Sequence, residues 1–182
     1  NIMFPVGRMD GDSLPVSAFM GYEDGQFPLG ASAYEKRGVA VQVPEWNADT
    51  CIQCNQCAFV CPHATIRPFA LTDAEMAAAP AQTKHIPVKG KVGADMQYVL
   101  AVSPLDCMGC GLCAIQCPTN SLTMMPIADE LGEQPVFDYC VKDVARKEEL
   151  EGTSVKAGQF GRPLLAFSGA CAGCAQAAYA RL

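Results

Sequence analysis

Clustered apolar positions predict four short strands, arranged in two similar halves of the chain. The runs 38–43 and 97–102 are apolar and rich in β-branched residues, as strands are. Shorter apolar pieces at 65–69 and 121–125 follow a cysteine-rich segment in each half. That segment leaves room for about one helical turn before a proline ends it. Each half therefore predicts the order strand, cysteine loop, short helix, strand.

The two halves form an internal repeat, because their cysteines recur at a constant offset of 56 residues, from Cys51 to Cys107. Each half carries one run of the form C-x2-C-x2-C-x3-C-P. The cysteines of the first run are Cys51, Cys54, Cys57 and Cys61, and those of the second are Cys107, Cys110, Cys113 and Cys117. The repeat predicts that the two halves pack about a pseudo-twofold axis. The result would be an α+β, ferredoxin-like unit over 39–125, built around metal.

Three further segments are attached to this repeat. Residues 1–38, rich in Gly, Pro and Asp, predict an extended arm. Residues 70–96 are an insertion, in which Thr72 as N-cap and the helix formers after it predict a helix over 72–79. Residues 126–182 form a C-terminal extension, where alternating charges at 142–151 predict a solvent-exposed helix.

Composition and charge narrow the range of partners. The net charge of −6 argues against nucleic acid, because a phosphate-binding basic surface is lacking. No apolar run approaches the roughly 20 residues that span a bilayer. The sequence starts at Asn1 without an initiator Met, which predicts a piece of a longer protein. It also starts without a secretory signal, which predicts a reducing compartment, the cytoplasm.

The spacing of the eight cysteines predicts two [4Fe–4S] clusters. Three thiolates spaced by two residues can wrap one face of the cube but cannot easily supply its fourth corner, and in two-cluster ferredoxins the fourth Cys ligates the other cluster. We therefore expect an exchange of the fourth ligands, Cys61 and Cys117. One cluster is then held by Cys51, Cys54, Cys57 and Cys117, and the other by Cys107, Cys110, Cys113 and Cys61.

Zinc and disulfides are the alternatives to iron and sulfide. Zinc sites pair C-x2-C units, often with His, and need only four ligands each, whereas two triplets closed by Cys-Pro exceed that need. His63 and His85 are not spaced as zinc ligands. We expect His63, directly after the first run, to lie near a cluster without a catalytic role.

The three remaining cysteines have other predicted roles. Cys140 stands alone and is expected to be a buried structural thiol. Cys171 and Cys174 form a Gly-flanked C-x2-C, which is either a pair of free thiols or half of a metal site. Two thiolates do not complete a cube, so any further ligands would lie outside this chain.

Six segments carry a resemblance to a known family; the cysteine runs among them are shared by many proteins, whereas the segments of the arm and FSGAC are much more specific. The six segments are LPVSAF (14–19), YEKRG (34–38), VPEW (43–46), CIQCNQCAFVCPH (51–63), DCMGCG (106–111) and FSGAC (167–171). Together they closely resemble part of the pyruvate:ferredoxin (flavodoxin) oxidoreductase family, the multidomain thiamine-diphosphate enzymes of anaerobes. One departure follows Cys174, where this chain has AQAAYA and the family usually has Gly-Glu-Thr-Pro-Tyr.

The resemblance implies a two-cluster domain that relays electrons from a third cluster beside thiamine diphosphate and Mg to ferredoxin or flavodoxin. It implies that Cys171 and Cys174 are two ligands of that third cluster, and that the chain ends where the thiamine domain starts. Pyruvate oxidation itself is expected of the parent enzyme and not of this chain alone. The alternative functions are a stand-alone ferredoxin-type carrier or small iron–sulfur subunit, and a structural zinc protein.

Overall fold

The computed structural model describes residues 2–26 and 29–181. The helices are α1 (Met3–Gly7), α2 (Gln56–Val60), α3 (Asp73–Ala78), α4 (Leu112–Ile115), α5 (Ile127–Glu130), α6 (Glu133–Lys142), α7 (Val155–Gly158) and α8 (Ala175–Arg181). The strands are β1 (Gln42–Trp46), β2 (Ile66–Leu71), β3 (Ile86–Pro87), β4 (Gln97–Val102) and β5 (Leu122–Pro126). The mixture of helices and small sheets confirms the α+β class.

The two halves of the repeat exchange strands. β1, before the first cysteine run, pairs antiparallel with β5, after the second run, with Val43 opposite Met125. β2, after the first run, pairs antiparallel with β4, before the second run, with Ile66 opposite Val102. The short helices α2 and α4 lie between the third and fourth cysteines, as the repeat predicted.

Strand β4 separates two parts of the core. Tyr98, Leu100 and Val102 point into a cluster with Trp46 and several cysteines, where the Trp46 and Tyr98 rings meet edge-on at 5.9 Å. The intervening residues of β4 pack on the other side against α6, which buries Val136, Phe137 and Cys140. Alternation along a strand sends successive side chains to opposite faces, so β4 is buried on both.

Two elements differ from the sequence prediction. The first strand begins at Gln42, not at residue 38, because Gly38 has a φ of +58° and Val41 is 82% exposed, whereas Val43 and Trp46 are buried. The charged segment 142–151 contains only a 3-10 turn, Glu148–Leu150, and the helix precedes it as α6. The charged segment has too few apolar side chains to cover the sheet, whereas α6 has enough of them.

The insertion contains the predicted helix and an unpredicted strand. Thr72 caps α3 in a capping box with Glu75, as the N-cap signal indicated. The two-residue strand β3 adds to the free side of β4, with Ile86 opposite Tyr98. It gives the second sheet the order β2-β4-β3.

The first 36 residues group as a compact unit of their own. Their described part contains α1 and three 3-10 turns, Gly11–Ser13, Val16–Phe19 and Ala31–Tyr34, so the predicted arm is made of helical turns and not of extended chain. Within the described ranges 2–26 and 29–181, no helix combines the length and apolar character needed to cross a membrane.

Candidate metal centre

Three cysteines of the first run and one of the second line a single cavity. Cys51, Cys54, Cys57 and Cys117 surround it, and its wall is completed by the Tyr98 ring, by apolar side chains and by Asn55, Thr119 and Ser121. We call this the first thiol cavity. Cys117 reaches it from the end of the second run, because the strand pairing of β1 with β5 brings that end over the first loop.

A second cavity repeats this arrangement with the roles of the runs reversed. Cys107, Cys110 and Cys113 line it together with Cys61 of the first run. We call this the second thiol cavity. Its remaining wall includes Pro44, Ile66, Met108, Leu112 and Met124, which leave little polar surface, and His63.

The pKa values of the thiols reflect burial and the neighbouring thiols of each cavity. Burial, with a smaller contribution from Cys61 and Cys110, raises the pKa of Cys107 to about 11 and that of Cys113 to about 12. Burial also raises the pKa of Cys57 well above its ordinary value, and Cys113 adds to this increase. Metal ligation requires thiolates, and burial opposes their negative charge. A metal centre in each cavity would stabilise that negative charge.

One thiol has the opposite shift. Burial raises the pKa of Cys117, but the hydrogen bonds that it receives outweigh this effect and lower it. The Ser121 N–H lies 3.1 Å from its Sγ, and the Thr119 hydroxyl lies 3.8 Å away. Donors aimed at a thiolate sulfur stabilise its negative charge.

The loops that carry the thiols share an unusual backbone. Gln53 and Asn55 have φ values of 58° and 60°, and their counterparts in the repeat, Gly109 and Gly111, have 69° and 74°. In both loops the N–H of the first of these residues donates to the first cysteine Sγ, at 3.4 Å. The left-handed residues turn the chain sharply enough for three thiols to face one cavity.

Glycine is required at one of these positions. A Cβ on Gly109 would lie 3.1 Å from the Gln42 carbonyl oxygen and 3.2 Å from the Ala40 Cβ, besides its positive φ. The second loop therefore packs backbone to backbone on the start of β1.

In the first loop, side-chain hydrogen bonds hold the same turn without glycine. The Gln53 amide donates to the Pro87 carbonyl and accepts from the Lys89 N–H, both at 2.7 Å. Asn55 donates to the Lys156 carbonyl and accepts from the Tyr98 hydroxyl, also at 2.7 Å. Both amides are buried, so the insertion and the C-terminal extension fix the shape of the first loop.

The two cavities fit a cluster better than a single ion. Within the described ranges, no three His, Cys, Asp or Glu side chains are grouped as one metal ion would need. A [4Fe–4S] cube offers one iron to each thiolate, so its ligands line a hollow and do not meet at one point. His63 supports the same fit, since its buried Nε2 finds no partner among the described residues while its ring lines the second thiol cavity.

The other cysteines lie outside both cavities. Cys140 lies on the buried face of α6, where burial raises its pKa to about 12, which confirms the predicted burial of this thiol. Cys171 is exposed and Cys174 is half-buried. Between them, Gly173 approaches the second thiol cavity, since a Cβ on it would lie 3.7 Å from the Cβ of Cys110.

Comparison with known proteins agrees with the cysteine geometry. A family model described as a 4Fe-4S dicluster domain matches residues 50–121, so the predicted pair of [4Fe–4S] clusters is confirmed at the level of the family. A second model, EKR, described as a domain of unknown function, matches residues 1–40.

Relatives extend over the whole chain. Pyruvate-flavodoxin oxidoreductase from Enterobacter agglomerans is 49% identical, and pyruvate:ferredoxin oxidoreductase from Moorella thermoacetica is 44% identical, each over 100% of this chain and 16% of the relative. Pyruvate dehydrogenase [NADP(+)] from Cryptosporidium parvum is 45% identical over 100% of this chain and 9% of its own length. The chain thus spans about a sixth of the first two relatives.

Proposed function

The chain belongs, as a segment, to the pyruvate:ferredoxin (flavodoxin) oxidoreductase family, and from this premise we propose that it is the electron relay of such an enzyme. The parent enzyme would oxidise pyruvate with coenzyme A to acetyl-CoA and CO2. Each [4Fe–4S] cluster, when bound, supplies one-electron oxidation and reduction. The residues of this chain hold the clusters, exclude water from them and set their surroundings.

The grouping of the cysteines is the observation that carries this proposal. Each thiol cavity takes three cysteines from one run and one from the other. We therefore assign Cys117 as the fourth ligand of the first cavity and Cys61 as that of the second. Together with the exchanged strands, this assignment supports a pseudo-twofold relation between the halves.

The two cavities are adjacent, as a relay requires. Cys57 on α2 and Cys113 on α4 lie at the inner sides of the two cavities, where α2 packs against α4. After burial, the charge of Cys113 makes the largest contribution to the raised pKa of Cys57, ahead of Cys51 and Cys54 in its own run. Apolar residues such as Trp46 and Leu100 in the first cavity and Ile66 and Met124 in the second keep water away, which preserves the clusters and limits the reorganisation around them.

We place the entry of electrons at the second thiol cavity. The C-x2-C at Cys171 and Cys174 adjoins that cavity through Gly173. If these cysteines ligate a third cluster in the parent enzyme, beside its thiamine diphosphate and Mg, the second cavity is the nearer neighbour. The first cavity would then face the acceptor, ferredoxin or flavodoxin, in the cytoplasm.

Rapid mixing of the reduced chain with an acceptor tests this function. We expect the dithionite-reduced, cluster-loaded chain, freed of dithionite, to reduce oxidised flavodoxin or ferredoxin while its own absorbance near 400 nm recovers. A chain that retains both clusters and reduces neither acceptor would contradict the relay.

The direction of the relay needs a matched pair of variants. Cys54→Ala damages the first site and Cys110→Ala damages the second, at equivalent positions of the repeat. We expect the larger loss of acceptor reduction from Cys54→Ala. An equal loss from both, or a larger one from Cys110→Ala, would contradict an exit at the first cavity.

A further inference from the structure

A third cavity lies apart from the thiols and is lined by three arginines. It measures ≈ 90 Å³ and is bounded by Arg67 of β2, Arg162 and Arg181 of α8, together with the glycine-rich loop 158–164. Among the described residues that line it there is no Asp or Glu. We call it the arginine cavity.

The side chain of Arg181 keeps at least one buried donor available. It is 5% exposed, and one of its Nη atoms donates to the Phe59 carbonyl at 2.8 Å and to Gln159 at 3.0 Å. Its Nε is buried without a partner among the described residues. A buried N–H of a charged group costs free energy unless an acceptor reaches it.

Arg67 is held in place but keeps donors available. Its Nε donates to the Ala64 carbonyl at 2.6 Å, and its guanidinium stacks 5.1 Å from the Phe167 ring centroid and 5.6 Å from that of Phe137. These contacts hold the guanidinium beside the two rings and occupy one of its N–H groups. The two terminal nitrogens are not used by them.

The three positive charges oppose one another across this small space. Burial and, after it, the charges of Arg181 and Arg162 together lower the pKa of Arg67 to about 10, although Cys61 and Asp106 oppose this shift. A negative charge between the guanidiniums would relieve this repulsion. The planar fork of an arginine matches two oxygens of a phosphate or carboxylate group.

We propose that the arginine cavity binds a small oxyanion, either a phosphate group or a carboxylate, through Arg67, Arg162 and Arg181. The cavity has space for a group of that size and not for an intact nucleotide. Arg162 is exposed and forms the rim, while Arg181 forms the buried wall. None of its lining residues is a cysteine, so the arginine cavity is distinct from the two thiol cavities.

Calorimetric titration of the cluster-loaded chain tests the proposal with two probes. Inorganic phosphate and acetate are titrated separately, at an ionic strength held constant with chloride. We expect saturable one-to-one binding of at least one of them. Preference for phosphate identifies a phosphate-group site, and equal or stronger binding of acetate identifies a carboxylate site.

Variants show whether the heat comes from this cavity. Arg162→Gln removes an exposed rim charge without disturbing the core, and we expect about tenfold weaker binding from the loss of a charge-assisted hydrogen bond. Arg8→Gln, the same change at a residue that does not line the cavity, should leave binding unchanged. Absence of saturable binding for both probes, or equal affinity in Arg162→Gln and the unaltered chain, would overturn the proposal.

Discussion

His63 connects the second thiol cavity with the C-terminal extension. Its Nδ1 lies 3.0 Å from the Ser168 carbonyl and 3.2 Å from the Ser168 hydroxyl, and its own carbonyl accepts the Phe167 N–H at 2.9 Å. These contacts hold the ring so that Nε2 faces the cavity side. The sequence placed His63 beside the first run but could not reveal a partner 105 residues away.

Replacing His63 should change one cluster and not the other. When Nδ1 accepts the hydrogen of the Ser168 hydroxyl, Nε2 carries the ring hydrogen and can donate toward a cluster. Such a donor favours the more negative, reduced form, so His63→Phe should lower one midpoint potential by roughly 40 mV, equivalent to about 1 kcal/mol for one electron. Redox titration followed by electron paramagnetic resonance measures this shift. His85→Phe is the control, because His85 lines neither thiol cavity; an unchanged potential in His63→Phe, or equal shifts of both clusters, would contradict the role.

The residues that act as ligands were predictable, whereas those that shape the loops were only partly so. Regular spacing identifies the eight cysteines, since the chemistry of a cube demands it. Gly109 and Gly111 have the residue type that most readily adopts a left-handed backbone. That Gln53 and Asn55 adopt the same left-handed backbone could not be predicted, because their stabilising partners come from the insertion and from residue 156.

At the scale of elements, local signals predicted the helix α3 correctly. They placed the start of β1 too early and put a helix at 142–151 instead of at α6. Thr72 and Glu75 form a capping box within four residues, so the sequence alone specifies it. The start of β1 and the position of α6 depend on which apolar side chains find a partner across the core. Val39 and Val41 have β-branched side chains but remain exposed, and strand propensity alone could not exclude them.

Glu75 should stabilise the chain in a pH-dependent way. Although burial opposes it, hydrogen bonds from Lys147, Thr72 and Ala145 lower the pKa of Glu75 to about 2. Its stabilisation is therefore fully present above its ordinary pKa of 4.5 and is lost as pH falls through about 2. Glu75→Gln should cost about 1 kcal/mol of unfolding free energy at pH 7.

Urea unfolding at a series of pH values measures this effect. The difference between Glu75→Gln and the unaltered chain should shrink as pH falls below 4.5. Glu149→Gln, at an exposed carboxylate, should have little effect at any pH. A difference for Glu75→Gln that persists unchanged to the lowest pH would contradict the linkage.

At the scale of the whole molecule, the chain corresponds to one segment of much longer relatives. It aligns along its full length with only 16% of its relatives, and the resemblance places thiamine diphosphate in another part of the enzyme. The internal repeat, the family and the α+β class could all be predicted from the sequence. The contact of the C-x2-C segment with the second cavity could not, because it depends on how residues 163–174 return to the core.

The isolated chain should not oxidise pyruvate. Incubated with pyruvate, coenzyme A and thiamine diphosphate, it should release no CO2 beyond the background rate, while dithionite still reduces its clusters. Measuring CO2 and acetyl-CoA checks this expectation. Turnover by the purified chain would show that the catalytic groups lie within these 182 residues.

The exchange of fourth ligands is tested most directly by comparing single-cysteine variants. Iron and sulfide analysis should give about eight irons for the unaltered chain and for Cys140→Ala, and fewer for Cys61→Ala. The paramagnetic signal remaining in Cys61→Ala should match that of Cys110→Ala and differ from that of Cys54→Ala. Retention of about eight irons in Cys61→Ala, or a signal matching Cys54→Ala, would contradict the exchange.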